Sequence, residues 1–288
     1  MILLNGKETA QALRQALAIK VQAAQSQGHP APHLAAVLVG NNPASEAYVR
    51  NKMKACAEVG FRSSLLRESE EISQEALLAK IKALNEQEDL DGYIVQLPLP
   101  KHIDEQAITL AIAPEKDADG FHPYNVGLMT LGQDTLLPAT PYGILLLLEH
   151  YGLSVAGKHC VIVGRSNIVG RPMSILLSDG QRQGTVSLCH SRTPNLPSFT
   201  LQADVLVAAI GKPNFITADM VKPGAIVIDV GINAVEQDGK QKLVGDVDFE
   251  AVSTKASALT PVPGGVGPMT ILGLLYNTWH IYEGKIKG

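Results

Sequence analysis

The sequence predicts an α/β protein built on mostly parallel sheets. Three observations carry that prediction. Apolar runs of strand length alternate with segments of helical spacing joined by short links, as when crossover helices connect parallel strands. One run, Leu34 to Gly40, is apolar up to its final glycine, which suits a strand buried on both faces. Another, His159 to Val163, leads into the glycine turn Gly164-Arg165-Ser166-Asn167-Ile168-Val169-Gly170 and the start of a helix. The 288 residues suffice for one or two domains with a proper core.

Composition narrows the classes. Hydrophobic residues make up 45% and charged residues 18%, an ordinary globular balance. A net charge of −4, no dense run of Lys or Arg, and 5% aromatic residues argue against a nucleic-acid partner. The apolar run Gly143 to Leu148 stops at Glu149 and His150, too short for a bilayer. The N-terminus lacks a basic region followed by a long apolar stretch, so no signal peptide, no membrane partner and a cytoplasmic location are expected. Cys56, Cys160 and Cys189 form no C-x-x-C pair, which favours buried free thiols and gives no metal site.

In chain order, Leu13, Leu17 and Val21 are four apart and predict a helix over Lys7 to Gln27. The Leu34 strand is followed by a loop at Asn41 to Ser45 and a helix to about Gly60. A strand at Phe61 to Arg67, a helix at Gln74 to Glu86 and a strand at Gly92 to Leu97 complete the first half, with no internal repeat evident. Ligands of such sheets sit beyond the carboxyl ends of the strands. Three polar clusters fall there. Tyr48 and Lys52 share a helix face, Gln96 precedes Leu97-Pro98-Leu99-Pro100, and Asp117 and Asp119 lie in a polar loop with His122. Each has a plain structural reading as a half-buried ring under an ammonium, a turn partner, a capping carboxylate or a packing histidine.

In the second half, Pro138-Ala139-Thr140-Pro141 opens a helix to about His150, with Thr140 as N-cap and Pro141 first in the helix. The Gly164 turn departs from G-x-G-x-x-G, since Ser166 stands where the second glycine would be and Gly170 comes one position late. By itself it reads as either a pyrophosphate-holding turn or an ordinary strand-turn-helix. The strand Gly184 to Cys189 ends in His190-Ser191-Arg192-Thr193, without the acid that would bind a ribose 2′-hydroxyl. Arg165, Ser191 and Arg192 instead suit a 2′-phosphate, so a dinucleotide bound here would be NADP rather than NAD. Strands at Ala203 to Ala209 and Ala225 to Val230 lead into Gly211-Lys212-Pro213 and Gly231-Ile232-Asn233, and Asp246 is expected to cap the next helix. The loop Pro261 to Thr270, before a helix through about Tyr282, is either a structural crossing or a binding loop.

Four stretches carry a resemblance. Glu46-Ala47-Tyr48-Val49-Arg50-Asn51-Lys52-Met53-Lys54-Ala55 is similar to the Y-V-x-x-K-x-K-A signature of the FolD family, bifunctional methylenetetrahydrofolate dehydrogenases/methenyltetrahydrofolate cyclohydrolases. Val95 to Pro100, Lys116 to Pro123 and the P-G-G-V-G-P-M-T stretch from Pro263 to Thr270 resemble further motifs of that family in the same order, over essentially the whole chain. The sequence departs at Ala139, where the family pattern usually has cysteine, so no chemistry is expected of a thiol there.

The resemblance implies two domains: an N-terminal α/β substrate domain and a Rossmann-like, doubly wound dinucleotide-binding domain with a cleft between them. Residues 1–139 would form the folate-binding catalytic domain, completed by a helix over 268–288, and residues 140–267 the NADP domain. The resemblance implies Lys52, Tyr48 and Gln96 as catalytic, with Lys52 moving the proton and Gln96 hydrogen-bonding Lys52 to help hold the lysine in position. Tyr48, Asp119, Pro263, Gly264 and Gly265 would bind the tetrahydrofolate substrate, and Asp119 would accept from pterin N–H groups. Gly164, Arg165, Ser166, Ser191 and Ile232 would bind NADP, and the protein would be a homodimer. Tyr48, Lys52 and Gln96 together argue against a monofunctional dehydrogenase, and intact clusters in both halves argue against a non-catalytic nucleotide sensor. The folate motifs oppose an unrelated hydroxy- or amino-acid dehydrogenase.

Overall fold

The computed structural model describes residues 1–237 and 240–287. Asp238 and Gly239, within the expected 140–267 segment, and Gly288, the last residue of the expected C-terminal helix, lie outside the described residues. The chain begins with β1 (Ile2–Leu3), α1 (Gly6–Ser26), β2 (His33–Val39), α2 (Pro43–Val59), β3 (Arg62–Glu68), α3 (Gln74–Glu86) and β4 (Gly92–Val95). It continues through α4 (Glu105–Ala111), α5 (Pro123–Thr130), α6 (Ala139–His150), β5 (His159–Val163), α7 (Gly170–Ser178), β6 (Thr185–Cys189), α8 (Pro197–Thr200) and β7 (Val205–Ala208). Last come β8 (Ile226–Asp229), β9 (Asn233–Gln237), β10 (Lys240–Val244), α9 (Phe249–Ser253), β11 (Ala258–Leu259) and α10 (Val266–Lys287).

Two compact units result. One gathers residues 11–129, 133–139 and the chain from Ile271 onward; the other gathers 1–10, 130–132 and 140–270. The first holds a three-stranded parallel sheet in the order β3-β2-β4. The second holds a six-stranded parallel sheet in the order β1-β11-β8-β7-β5-β6, and β9 and β10 pair antiparallel. Residues 1–10 group with the six-stranded sheet because β1 pairs with β11, where the Ile2 N–H donates to the Ser257 carbonyl at 2.7 Å. A two-residue strand carries no periodicity from which that pairing could be read. Among the described residues no helix is long and apolar enough to cross a membrane.

Every residue of β2 is buried, and the pleat divides those from Leu34 to Val39 between two cores. Leu34, Ala36 and Leu38 pack with Leu17, Val21, Val59, Leu275 and Trp279. Ala35, Val37 and Val39 pack with Leu77, Ile81, Tyr93 and Ile108. A side chain such as Leu34, fully buried, contributes about 2 kcal/mol of apolar transfer free energy. The helix ends are satisfied locally. The Asn42 side chain accepts from Ala44 N–H and Ser45 N–H at the start of α2, and Ser73 accepts from Ala76 N–H at the start of α3.

Three local expectations are corrected. The strand expected to reach Leu97 ends at Val95, although Gln96 N–H still donates to Val37 O at 2.9 Å; Pro98, one residue beyond Leu97, has no N–H to extend the ladder. α6 starts at Ala139, whose N–H donates to Asp119 O at 3.0 Å, so Thr140 and Pro141 lie inside its first turn. The Thr140 hydroxyl meets that of Thr270 at 3.0 Å instead of capping. Asp246 does not cap a helix: Asp248 caps α9, accepting from Ala251 N–H at 3.2 Å.

Both units brace the amino edge of their sheet in the same way. His33 N–H donates to Asp91 at 2.7 Å and its ring bonds the Ser64 hydroxyl at 2.7 Å, while Lys285 pairs with Asp91 at 3.0 Å. His159 N–H donates to Asp204 at 2.9 Å and its ring bonds Ser187 at 2.9 Å, while Lys222 pairs with Asp204 at 2.6 Å. The strand orders β3-β2-β4 and β6-β5-β7 correspond, a likeness that the sequence pattern does not disclose.

Asn277 of α10 is buried, donates to Ala118 O at 2.9 Å and Leu137 O at 2.7 Å, and accepts from Leu137 N–H at 3.3 Å. Asn277→Leu leaves those backbone groups unpaired and is expected to cost about 2–4 kcal/mol, read as a lower urea midpoint at unchanged slope. A midpoint equal to wild type would show that these bonds do not hold the 118 and 137 segments.

Candidate functional site

In the three-stranded sheet the chain leaves β2 for β3 on one side and reaches β4 on the other. Ligand crevices of open parallel sheets form beyond the carboxyl ends at such a reversal. α2 follows β2 and carries Tyr48 and Lys52 one turn apart, while Gln96 directly follows β4. Residues 117–119 run beside β4, with a bridge between Tyr93 and Asp117 and the Ala118 N–H donating to Tyr93 O at 3.4 Å. Lys52, Tyr48, Gln96 and Asp119 are thereby brought together.

Lys52 is 3% exposed. Its Nζ donates to Gln96 Oε1 at 3.2 Å, lies 3.9 Å from Asp119 Oδ1 and sits 4.8 Å from the centre of the Tyr48 ring. Gln96 Nε2 donates to its neighbour's carbonyl, Leu97 O, at 2.7 Å, which turns Oε1 toward the lysine. Burial holds the Lys52 pKa below the ordinary lysine value, with Asp119 and then Cys56 pulling in the opposite direction. Burial likewise raises the Asp119 pKa, against the pull of Lys52. At 3.9 Å the two charges attract without a hydrogen bond, so neither is locked in its ionised form. Among the described residues Lys52 is the only ion-pair partner of Asp119, which leaves acceptor positions on the carboxylate for a ligand.

Asp117, the other acid of its pair, is 2% exposed and faces inward. It accepts from Gly120 N–H, His122 N–H and Asn125 Nδ2 at 3.1, 2.7 and 3.0 Å, folding the loop that presents Asp119. His122 accepts from Tyr124 N–H at 3.1 Å, a turn contact. Burial pushes the Cys56 thiol, one turn beyond Lys52, up to about 12, so it stays protonated. The other two cysteines are also buried and free.

In the six-stranded unit the expected cofactor residues share the carboxyl edge of one parallel sheet. Gly164-Arg165-Ser166 follows β5, Ser191 follows the adjacent β6, and Ile232 follows β8, two strands away on the other side. From β6 to β8 is three strand spacings, roughly 14 Å, the scale of an extended dinucleotide. Pro263, Gly264 and Gly265 follow β11 at the same edge, where Lys7 N–H donates to Gly264 O at 2.9 Å.

Sterics account for the glycine spacing of the β5 turn. Gly164 has φ +122, and a Cβ there would collide with the Ala209 carbonyl oxygen after β7. A Cβ on Gly170 would collide with the Gly164 carbonyl oxygen. Ser166, in the place of the usual second glycine, accepts through Oγ from Val169 N–H and Gly170 N–H at 3.2 and 3.4 Å, tying off the turn before α7. Arg165, Ser166 and Ser191 are exposed, and Arg165 pairs with no acid among the described residues. This tight turn with an unpaired guanidinium fits a phosphorylated nucleotide. Ile232 is 59% exposed, an apolar side chain left uncovered at the same edge. Among the described residues no group of His, Cys, Asp and Glu could hold a metal ion.

A parallel sheet with this turn and an unpaired arginine at its carboxyl edge defines a nucleotide-binding α/β protein. Residues 4–119 match the catalytic domain of tetrahydrofolate dehydrogenase/cyclohydrolase, and residues 138–286 match the NAD(P)-binding domain of the same family. The bifunctional protein FolD of Flavobacterium johnsoniae is 58% identical over 283 residues, covering 96% of each chain. That of Lysinibacillus sphaericus is 56% identical and covers 99% of this chain and 98% of its own. The crystal structure of the bifunctional FolD of Campylobacter jejuni superposes with a TM-score of 0.95 at 48% identity, covering 99% of both chains. The Trypanosoma brucei FolD, solved with NADP cofactor and an inhibitor, gives 0.94 at 35% identity, covering 100% of this chain and 99% of its own. The chain belongs to the tetrahydrofolate dehydrogenase/cyclohydrolase family.

Because the Asp119 carboxylate favours the charged form of Lys52, Asp119→Asn is expected to lower the lysine pKa further. Selective ¹⁵N labelling of lysine, followed by NMR against pH, reads the midpoint directly. An upward movement would show that Asp119 acts on Lys52 other than through its charge.

Proposed function

We propose that this protein oxidises 5,10-methylenetetrahydrofolate to 5,10-methenyltetrahydrofolate with NADP and then hydrolyses the product to 10-formyltetrahydrofolate. The observation that carries the reading is the buried Lys52 Nζ, held by Gln96 Oε1 and facing the Asp119 carboxylate. A monofunctional dehydrogenase needs orientation at this point and no poised amine.

NADP, when bound, supplies the hydride acceptor. Gly164, Arg165 and Ser166 would hold its phosphates, with Arg165 and Ser191 on the 2′-phosphate and Ile232 against the ring. Tyr48 and Asp119 would orient the folate, the carboxylate accepting two parallel N–H bonds from the pterin. Pro263, Gly264 and Gly265 would let backbone approach it closely.

Hydrolysis then turns on Lys52. Water adds to the cationic methenyl carbon, and the neutral amine takes the proton that the water loses. The remaining hydroxyl then loses its proton to solvent as the carbon–oxygen double bond forms, the carbon–N5 bond breaks with its electron pair passing to N5, and Lys52 returns a proton there. One proton is released overall. A cationic substrate lowers the lysine pKa further, on top of burial, so the amine form is available where it is needed. Gln96 keeps the amine aimed, and Cys56, held as a thiol, has no part in the exchange.

The residue segments for the two roles are 1–139 with 268–288 for the folate and 140–267 for NADP. The reading includes a cytoplasmic homodimer. The outer edge of β6, which ends the six-stranded sheet and pairs with no further strand among the described residues, supports it by offering an edge to a second copy.

Protein mixed with methylenetetrahydrofolate and NADP should produce reduced cofactor with only transient methenyl absorbance. Accumulation of the methenyl product by the wild type would favour the monofunctional alternative. Lys52→Met should cut hydrolysis by at least about a hundredfold while NADP binding survives. Full hydrolysis by that variant would remove Lys52 from the mechanism. Arg165→Ala should raise the KM for NADP by about tenfold, the scale of one lost charge-assisted bond, and leave NAD use nearly unchanged; equal losses would defeat the 2′-phosphate reading.

A further inference from the structure

Two buried carboxylates with no place in that chemistry lie in the six-stranded unit. Asp229 ends β8 and is 3% exposed; Asp246 follows β10 and is fully buried. Neither has a basic partner among the described residues. Backbone and amide N–H groups hold them instead. Asp229 accepts from Gly231, Asp246 and Val247 N–H at 3.0, 2.9 and 3.0 Å. Asp246 Oδ2 accepts from Ile210 and Gly211 N–H at 2.5 and 2.9 Å, and its Oδ1 from Lys212 N–H and Asn233 Nδ2 at 2.9 Å each.

Space here is as tight as bonding. A Cβ on Gly231 would collide with the Asp246 carboxylate, and one on Gly245 with that of Asp229. Every partner of Asp246 is a donor, so an amide would turn its own N–H₂ toward N–H groups. Only a carboxylate satisfies the set.

The position of these donors gives the arrangement its meaning. Ile210, Gly211 and Lys212 form the turn after β7, and Asn233 follows the exposed Ile232 after β8. β7 lies between β5 and β8, so the turn it feeds stands between the Gly164 turn and Ile232 along the carboxyl edge. Gly164 already abuts Ala209, the residue just before this turn. One carboxylate thus fixes two of the turns that a dinucleotide laid along this edge would meet.

We propose that Asp246 is a positioning residue for the dinucleotide, holding the 210–212 turn and the Ile232–Asn233 segment in their binding shape before the cofactor arrives, with Asp229 anchoring Asp246 through its backbone N–H. The proposal rests on the reading that the six-stranded unit binds NADP. Pre-shaped turns spare the ligand the entropy of ordering them, so loosening them falls on cofactor affinity first.

The test compares wild type, Asp246→Asn and Asn233→Ala in three measurements: NADP affinity by calorimetry, KM for NADP in the dehydrogenase assay, and cofactor-free hydrolysis of methenyltetrahydrofolate. Asp246→Asn should weaken NADP by about tenfold or more, and Asn233→Ala, which removes one of the four donors, by about threefold. Hydrolysis should stay within about twofold of wild type in both. Unchanged NADP affinity in a folded Asp246→Asn overturns the proposal. So does a parallel fall of both activities with thermal stability, which marks a role in folding alone. If Asp246→Asn does not fold, an unaltered NADP affinity in Asn233→Ala overturns it equally. Wild type that binds no NADP defeats the underlying cofactor reading, separately from Asp246.

Discussion

Parallel strands buried on both faces leave their polar ends to be satisfied at the sheet's two edges, and that constraint governs this molecule. From Leu34 to Val39 every side chain of β2 packs into one of two cores, so neither face of that stretch can carry chemistry. Polar side chains are displaced to where the strands stop. At the carboxyl edge of the three-stranded sheet this yields Lys52, Gln96 and Asp119; at that of the six-stranded sheet it yields the Gly164 turn with Arg165 and Ser166, and Ser191.

The two edges of each sheet are handled differently. At the amino edge, His33 with Asp91 and Ser64, and His159 with Asp204 and Ser187, close the strand starts with saturated bonds backed by a lysine. At the carboxyl edge, charge is retained and incompletely paired. Lys52 and Asp119 stand 3.9 Å apart, Arg165 has no acidic partner among the described residues, and Ile232 is uncovered. Within each sheet, one edge is braced by paired groups and the other keeps charge that is incompletely paired. Asp229 and Asp246 are the exception, bracing turns at the carboxyl edge.

Much of this was legible in the residues. Helical spacing located α1 and α3 to within a residue or so, because both bury a continuous stripe and are bounded by turn residues. The Tyr48–Lys52 pair, Gln96 and Asp119 could each be found; taken singly each read better as a turn or packing residue, the family resemblance pointed to their roles, and only the sheet order put them in contact. The misreadings share a cause. Thr140 and Asp246 were expected to cap helices because Ser, Thr and Asp do so locally. Thr140 instead meets Thr270, and Asp246 meets residues 210–212 and Asn233. Asn277, which ties Ala118 and Leu137 to α10, lay in an apolar helix with no local signal.

By itself the sequence determined what depends on neighbours along the chain: the alternation of strands and helices, the Gly164 turn, the absence of an acid after β6, and the motifs that mark the family. Their reach is a few residues, and periodicity and steric demand act on that scale. Tertiary structure decided which elements pair and which groups share a desolvated space. It put the short β1 into the six-stranded sheet, set Gln96 and Asp119 against the buried amine of Lys52, and converged four donors on Asp246. Burial and long-range pairing depend on the whole chain's packing, so only the folded molecule turns a lysine on a helix into an amine with a lowered pKa.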